Sequence, residues 1–370
     1  MRRELPPLVR ALAPAAGLLI AQAIVFPAPA GVYAGGIVLG TLGALVAVGM
    51  ALVYRANRII NFAQGALGVV PTVLAVQLIV YSGVVYAAAG IVGAVGALGL
   101  GAAVQRFVIR RFAESSRLVL TAATIGIAQL LVGVSIFLPN LWGHPTRAEE
   151  ITSGLGWRWF LDPIVLRAEH ALAAGVAVAL LALVAVALLR TSVGAGVRAA
   201  AERADLAGLL GIPVQRLQVI VWAGAALLSF AGVFGRVSIV GLPQAATDST
   251  VALLAALAAL TLGRFTHLGR IAVTAVALGV VEQAVAWNNP QHPQLFAVVL
   301  AVAIGVGLLF LRGEHTRRAT PRRAGGCSTS RRLASAIRRQ PAVRWRPSWR
   351  SWPRSSPGWP YRRCWGRVIC

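Results

Sequence analysis

Two stretches of this chain carry residue types that could do chemistry. The first, Tyr54–Gly65, reads YRANRIINFAQG, with two arginines, two asparagines and a glutamine set between long apolar runs. Carboxamides at the start of an apolar segment can replace missing backbone partners where a chain leaves the helix at membrane depth. They also line a polar route without the cost of burying charge. Asn61, Phe62, Ala63, Gln64 and Gly65 are therefore candidates for the wall of a polar pathway. Asn61 would equally serve as the N-cap of a helix beginning at Phe62, a purely local role. The residues alone leave the two readings level.

The second stretch, residues 190–217, reads RTSVGAGVRAAAERADLAGLLGIPVQRL. Its core, Val197–Leu210, is an alanine-rich segment expected to form one short helix, with Gly211 at the C′ position and Pro213 as a stop signal. Val197, Ala201, Ala204 and Gly208 share one face at helical spacing, and three of the four are small. Arg198 and Glu202 lie one turn apart and can pair. Such a helix either floats at an interface or enters a groove of another protein, and the sequence supports both equally.

Little else suggests chemistry. No GxSxG, HExxH or GxxxxGK[ST] run occurs, and His144, His170, His267, His292 and His315 are scattered. No catalytic set, metal site or cofactor is expected in this chain. Arg236 and Glu282 are the charged residues inside apolar segments. Each lies near a segment end, so both side chains are expected to snorkel to water.

The elements that must position these residues are membrane spans. The chain is 58% hydrophobic with 12% charged residues, against about 25% charged in ordinary soluble domains. Apolar segments fall at about 11–27, 31–53, 62–80, 82–105, 118–138, 170–189, 218–240, 250–262, 271–286 and 295–311. Many approach the ~20 residues needed to cross a bilayer. The fold class expected is all-α, a polytopic membrane protein with about 8–10 transmembrane helices. Residues 11–27, preceded by Arg2, Arg3 and Arg10, also have the form of a signal peptide. The eighth segment is short, and either re-enters the membrane or extends into its flanks.

Arginine placement sets the orientation. The linkers 106–117 and 190–217 each carry four arginines and are expected on the cytoplasmic side, with residues 54–61 and both chain termini. The loop 139–169, with Trp142, Trp157 and Trp159, is expected outside. All 35 basic residues are arginine, and the net charge of +24 is uneven. Residues 1–312 hold 20 arginines and 10 acids, whereas residues 313–370 hold 15 arginines and one acid, Glu314. The high charge therefore does not by itself argue for nucleic acid, and no nucleic-acid partner is expected. That tail also holds all three cysteines, Cys327, Cys364 and Cys370, at no metal or disulfide spacing. It reads as a binder of RNA or anionic lipid, as a disordered appendage, or as out-of-frame text. The expected organisation is an N-terminal membrane segment over 1–30, a transmembrane domain over 31–312 and the tail over 313–370.

The two motifs together carry a resemblance. Tyr54–Gly65 resembles the signature of branched-chain amino acid ABC importer permeases of the LivH type, at Arg55, Asn61, Phe62, Ala63 and Gly65, with Gln64 at the variable position. Arg198–Ile212 resembles the family's cytoplasmic coupling loop at Arg198, Ala199, Ala207, Gly211 and Ile212. Phe230–Gly235, FAGVFG, also fits the family's pattern. The resemblance covers about residues 31–311. One departure is Leu262–Arg270, LGRFTHLGR, where the family is usually rich in glycine.

The resemblance implies an ABC importer permease fold and a bacterial cytoplasmic-membrane location. It implies ATPase coupling through Arg198, Ala199, Glu202, Ala207, Leu210, Gly211 and Ile212. Its implied partners are a second, LivM-like permease, ABC ATPase subunits that bind the ATP, an extracytoplasmic substrate-binding protein and the lipid bilayer. Alternatives are import of urea, amides or other amino acids on the same architecture, or an ion-coupled secondary transporter. The latter requires an inverted repeat and buried ion ligands, neither of which is clear in the sequence.

Overall fold

The computed structural model describes residues 7–112, 115–143, 151, 154–202, 204–241, 245–265, 267–292 and 294–319. Contact clustering divides the chain into Met1–His315 and Thr316–Cys370. Of the tail expected over 313–370, residues 313–319 continue the last helix, and residues 320–370, with all three cysteines, lie outside the described residues.

Twelve α-helices are described. They are α1 (Pro7–Val25), α2 (Ala30–Asn57), α3 (Gln64–Val80), α4 (Tyr86–Ala103), α5 (Arg117–Phe137), α6 (Ala168–Arg190), α7 (Ser192–Glu202), α8 (Ala204–Leu209), α9 (Val214–Val240), α10 (Ala245–Leu262), α11 (Leu268–Asn288) and α12 (Leu295–Ala319). α4 continues through a π turn, Val104–Val108, into a 3-10 turn, Ile109–Phe112. Six helices are long and apolar enough to cross a membrane, and four shorter apolar helices accompany them. The ten apolar segments of the sequence are thus all helical. The eighth gains its length from its N-terminal flank, as α10 begins at Ala245.

The helices run alternately between two ends of a bundle. One end gathers residues 58–60, 104–112, 115–116, 191–202, 204–213, 263–265 and 267. Arg58 bonds the carbonyl of Ala201, and the Tyr54 and Phe265 rings meet at 4.8 Å. The opposite end joins Tyr86 to Ser238 and Asn288 to the carbonyl of Pro27. It also carries a feature the sequence reading lacked, a hairpin of β1 (Arg158–Leu161) and β2 (Ile164–Arg167). The text RWFL-DP-IVLR, with two apolar runs around Asp-Pro, is a recognisable hairpin signal. Its turn packs on Gly31, where a Cβ would overlap the carbonyl oxygen of Leu161.

α2 is the central helix. Its most apolar window is 78% buried, whereas that of α6 is 11% buried. Helices α4, α5 and α6 expose Ile91, Val95, Ile125, Leu130, Val176 and Leu183 among other large apolar residues. Apolar surface on this scale requires lipid or a protein partner. α2 packs antiparallel to α11 through backbone contact: a Cβ on Gly36 would lie 2.7 Å from Val280 Cα, and one on Gly40 2.7 Å from Val276 Cα. Small residues let membrane helices approach this closely, gaining dispersion in place of a hydrophobic driving force.

Candidate translocation and coupling site

The first motif folds as a re-entrant turn. Helix α2 stops at Arg58, whose backbone is left-handed (φ 56°) and whose N–H donates to the carbonyl of Tyr54 at 2.8 Å. The chain then turns back into the bundle. Gln64 packs against Gly49, eight residues up α2, which is roughly 12 Å from the helix end at ~1.5 Å rise per residue. Helix α3 therefore starts inside the bundle, at Gln64 rather than at Phe62. The expected N-cap is corrected accordingly: Asn61 Oδ1 accepts from the N–H of Ala63 at 3.1 Å, within the turn before the helix.

Non-helical backbone at that depth survives only if protein satisfies it. The partners are specific. The N–H of Phe62 donates to Thr124 Oγ1 of α5 at 3.3 Å. Asn61 Nδ2 donates to Gln64 Oε1 at 3.0 Å. Gln64 Nε2 donates to the carbonyl of Ala225 at 3.0 Å and to Ser229 Oγ at 3.1 Å, both on α9. The Ser229 hydroxyl donates in return to the carbonyl of Gln64. Asn61, Ala63 and Gln64 are fully buried, Gly65 is buried and Phe62 half-buried. Gln64, the position the resemblance leaves variable, is thus the hub of a polar lock joining α3 to α9. Gly49 is required beside it, because a Cβ there would stand 2.5 Å from Gln64 Nε2.

Cavities lie on both sides of this lock. A vestibule of about 530 Å³ opens at the Arg58 end, lined by Tyr54, Asn57, Arg58, Arg110, Arg117, Glu202, Gln215 and Gln218 among others. On the other side a cavity of about 60 Å³ lies among α2, α9, α10, α11 and α12, with Leu42, Val46, Gly232, Arg236, Leu278, Glu282 and Phe296 in its wall. A single stripe of α9 runs past all three. Gln215 and Gln218 face the vestibule, Ala225 and Ser229 the lock, and Gly232 and Arg236 the upper cavity. The spacing is the alternating three and four of one helical face. Trp222, on the same stripe between vestibule and lock, is fully buried and its Nε1 has no hydrogen-bond partner.

The second motif lies beside the vestibule. The helix expected over 197–210 is helical through the described residues on both sides of position 203, as α7 and α8, and it starts earlier, at Ser192. The earlier start comes from Thr191, whose Oγ1 accepts from the N–H of Gly194 at 3.1 Å, an N-terminal cap missed in the sequence. The C-terminus follows expectation. Gly211 is left-handed (φ 79°), its N–H bonds the carbonyl of Gly208, and the N–H of Ile212 bonds that of Ala207, a Schellman closure. The pairing open to Arg198 and Glu202 is not formed; both side chains are exposed, as are Ala199, Leu210 and Gly211. In water a pair of this kind gains only ~0.3–0.5 kcal/mol, too little to hold two mobile side chains. Val197 and Ala207 are buried and Ile212 half-buried.

Two contacts had no sequence signal strong enough to find them. Arg58 donates through Nε (3.2 Å) and Nη2 (2.5 Å) to the carbonyl of Ala201, near the C-terminus of α7. This fork ties the turn of the first motif to the helix of the second, across a separation of 143 residues. The other contact adds to the snorkelling expectation: Arg236 and Glu282 form a two-pronged ion pair between α9 and α11. Their signal was two lone opposite charges near the same end of apolar segments. The side chains keep 31% and 17% of their surface exposed, so the pair forms while both charges still reach the surface. At Leu262–Arg270, Arg264 and Phe265 adopt left-handed backbone (φ 60° and 57°), where glycine would be unstrained. The Phe265 ring against Tyr54 offsets part of that cost.

Alternating bundle ends, an interior half-helix start, and cavities on both sides of a polar lock define a multi-pass membrane transport protein. The family described as branched-chain amino acid transport system, permease component, matches residues 32–311, and the chain belongs to it. It is similar to the "Probable branched-chain amino acid transport permease protein LivH" of Methanocaldococcus jannaschii, at 26% identity over 289 residues, 74% of this chain and 83% of that protein. It is also similar to the high-affinity branched-chain amino acid transport system permease protein LivH of Escherichia coli K12, at 30% identity over 218 residues, 54% of this chain and 67% of that protein. The chain is accordingly a permease subunit of an ABC-type importer, not an enzyme, and it works with other transporter components.

Proposed function

We propose that this permease carries branched-chain amino acids across the bacterial cytoplasmic membrane, with the arginine-rich end of the bundle in the cytoplasm. That end carries Arg55, Arg58, Arg106, Arg110, Arg111, Arg117, Arg190, Arg198, Arg216, Arg264 and Arg270, as the positive-inside rule requires. By this reading both chain termini are cytoplasmic and the β1–β2 hairpin lies outside. Residues 1–30 form an additional membrane segment beside the transmembrane domain of 31–312.

The observation that carries the mechanism is the Arg58–Ala201 fork. In this proposal an ABC ATPase subunit grips the exposed Arg198, Ala199, Glu202, Leu210 and Gly211, with Ala207 and Ile212 behind them. ATP, bound by that partner, favours one arrangement of the ATPase pair and so shifts the position of α7 and α8. Arg58 carries the shift into the re-entrant turn, and the Asn61–Gly65 segment opens or closes the route between the two cavities. A LivM-like permease covers part of the exposed apolar surface, and an extracytoplasmic binding protein delivers cargo at the hairpin end. The relatives' names and the apolar wall of the upper cavity support a branched aliphatic amino acid over urea or an amide.

The test is ATP-driven uptake into vesicles carrying this chain with its ATPase, second permease and binding protein. Leucine, isoleucine and valine are expected to accumulate, and urea and acetamide to stay out. Uptake of urea or acetamide without the branched amino acids would overturn the substrate class. Uptake driven by an ion gradient without ATP would overturn the coupling.

A further inference from the structure

We infer that the Arg236–Glu282 pair in the wall of the upper cavity is a recognition site for the amino-acid zwitterion, with the alkyl side chain directed to the wall below it. This rests on the proposal that the cargo is an amino acid, and deepens it. The pair is two-pronged, and both residues line the same cavity. The remaining wall is apolar, with Leu42, Val46, Leu278 and Phe296 available to an aliphatic chain. An α-amino acid carries one carboxylate and one ammonium on adjacent atoms. Its carboxylate can take the Arg236 guanidinium while its ammonium takes the Glu282 carboxylate, so the pair opens without leaving a charge unmatched. The exchange is neutral overall, which a low-dielectric wall demands. A guanidinium is also the side chain best shaped for a carboxylate. Cargo with one charge alone could replace only one half of the pair.

The cavity of about 60 Å³ is far below the ~300 Å³ at which ligand pockets begin, so the pair must part and the wall widen to admit an amino acid. Its floor is one helical turn from the lock, at Val46 beside Gly49 on α2 and Gly232 beside Ser229 on α9. An amino acid held there would wait directly above the segment that Arg58 links to α7.

The test uses the assembled transporter in vesicles and compares wild type with Arg236→Gln, Glu282→Gln and the double variant. Assembly is read by co-purification of the partner subunits, and uptake is measured for a panel of neutral amino acids. Each single variant is expected to lose uptake on the order of 100-fold, because a site built for a polar group rejects a mismatch by at least that factor. The double variant decides between site and strut, including in the event that the singles fail to assemble. Removing both charges together relieves the unpaired charge that makes single variants of a purely structural pair unstable. Assembly restored with uptake still lost supports the inference. Uptake restored to the wild-type rate in the double variant, or retained in the singles, overturns it. A wild-type transporter that imports no amino acid would instead overturn the proposed cargo class, and with it this site.

Discussion

Gln64→Leu is expected to destabilise the protein by about 2–4 kcal/mol and to abolish uptake. Leucine has nearly the volume of glutamine, so the change removes polarity rather than packing. Three hydrogen bonds go: those from Gln64 Nε2 to the Ala225 carbonyl and to Ser229 Oγ, and that from Asn61 Nδ2 to Gln64 Oε1. Asn61 is fully buried, so its amide is left with no water to replace the partner. An orphaned buried donor costs more than an average hydrogen bond contributes, and members of one polar network lose more than their pairwise share. The measurement is thermal unfolding of the purified complex in detergent alongside uptake. A variant with unchanged melting and transport would mean that the re-entrant turn is held by its backbone alone.

The largest expected effect on folding is at the α2–α11 seam. In Gly279→Val the new Cβ would overlap the Cα and N of Gly40. The obstacle is backbone, so no side-chain rotation relieves it. The two helices must separate along the face where Gly36 and Gly40 also touch α11. Overpacking a close-packed core costs ~1–3 kcal/mol when side chains can adjust, and more where they cannot. No monodisperse protein is expected on size-exclusion chromatography. Gly305→Val is the control, because a Cβ there meets nothing within 4 Å. Normal recovery of the Gly279→Val variant would contradict the described seam.

Much of the fold was legible because membrane helices are written in composition. Apolar runs, arginine-rich linkers and the Gly211–Pro213 stop each follow from local chemistry, and the helices, one bundle end and the Schellman closure stand where those signals put them. What was illegible depends on partners far along the chain. The start of α3 moved from Phe62 to Gln64 because Thr124, Ala225 and Ser229 satisfy the turn, and no window around Asn61 contains them. The fork from Arg58 lands on a backbone carbonyl, which has no sequence identity to search for. Arg236 and Glu282 were visible as charges, but their distance across α9 and α11 was not. The departure at Arg264 and Phe265 was visible as bulk, while its ring partner Tyr54 was not.

The central proposal is that Arg58 transmits the movement of α7 to the lock, and its most direct test is the number of ATP molecules hydrolysed per leucine imported in Arg58→Asn. Asparagine tolerates the left-handed backbone at this position, so the turn is kept while the guanidinium is removed. Two hydrogen bonds from an exposed charged donor contribute about 1 kcal/mol after competition with water, which is roughly fivefold in a coupling equilibrium. Hydrolysis by the assembled complex is expected to continue while uptake falls, so that the ratio rises about fivefold. A ratio equal to that of the wild type, with both activities intact, would contradict the transmission of α7 movement through Arg58.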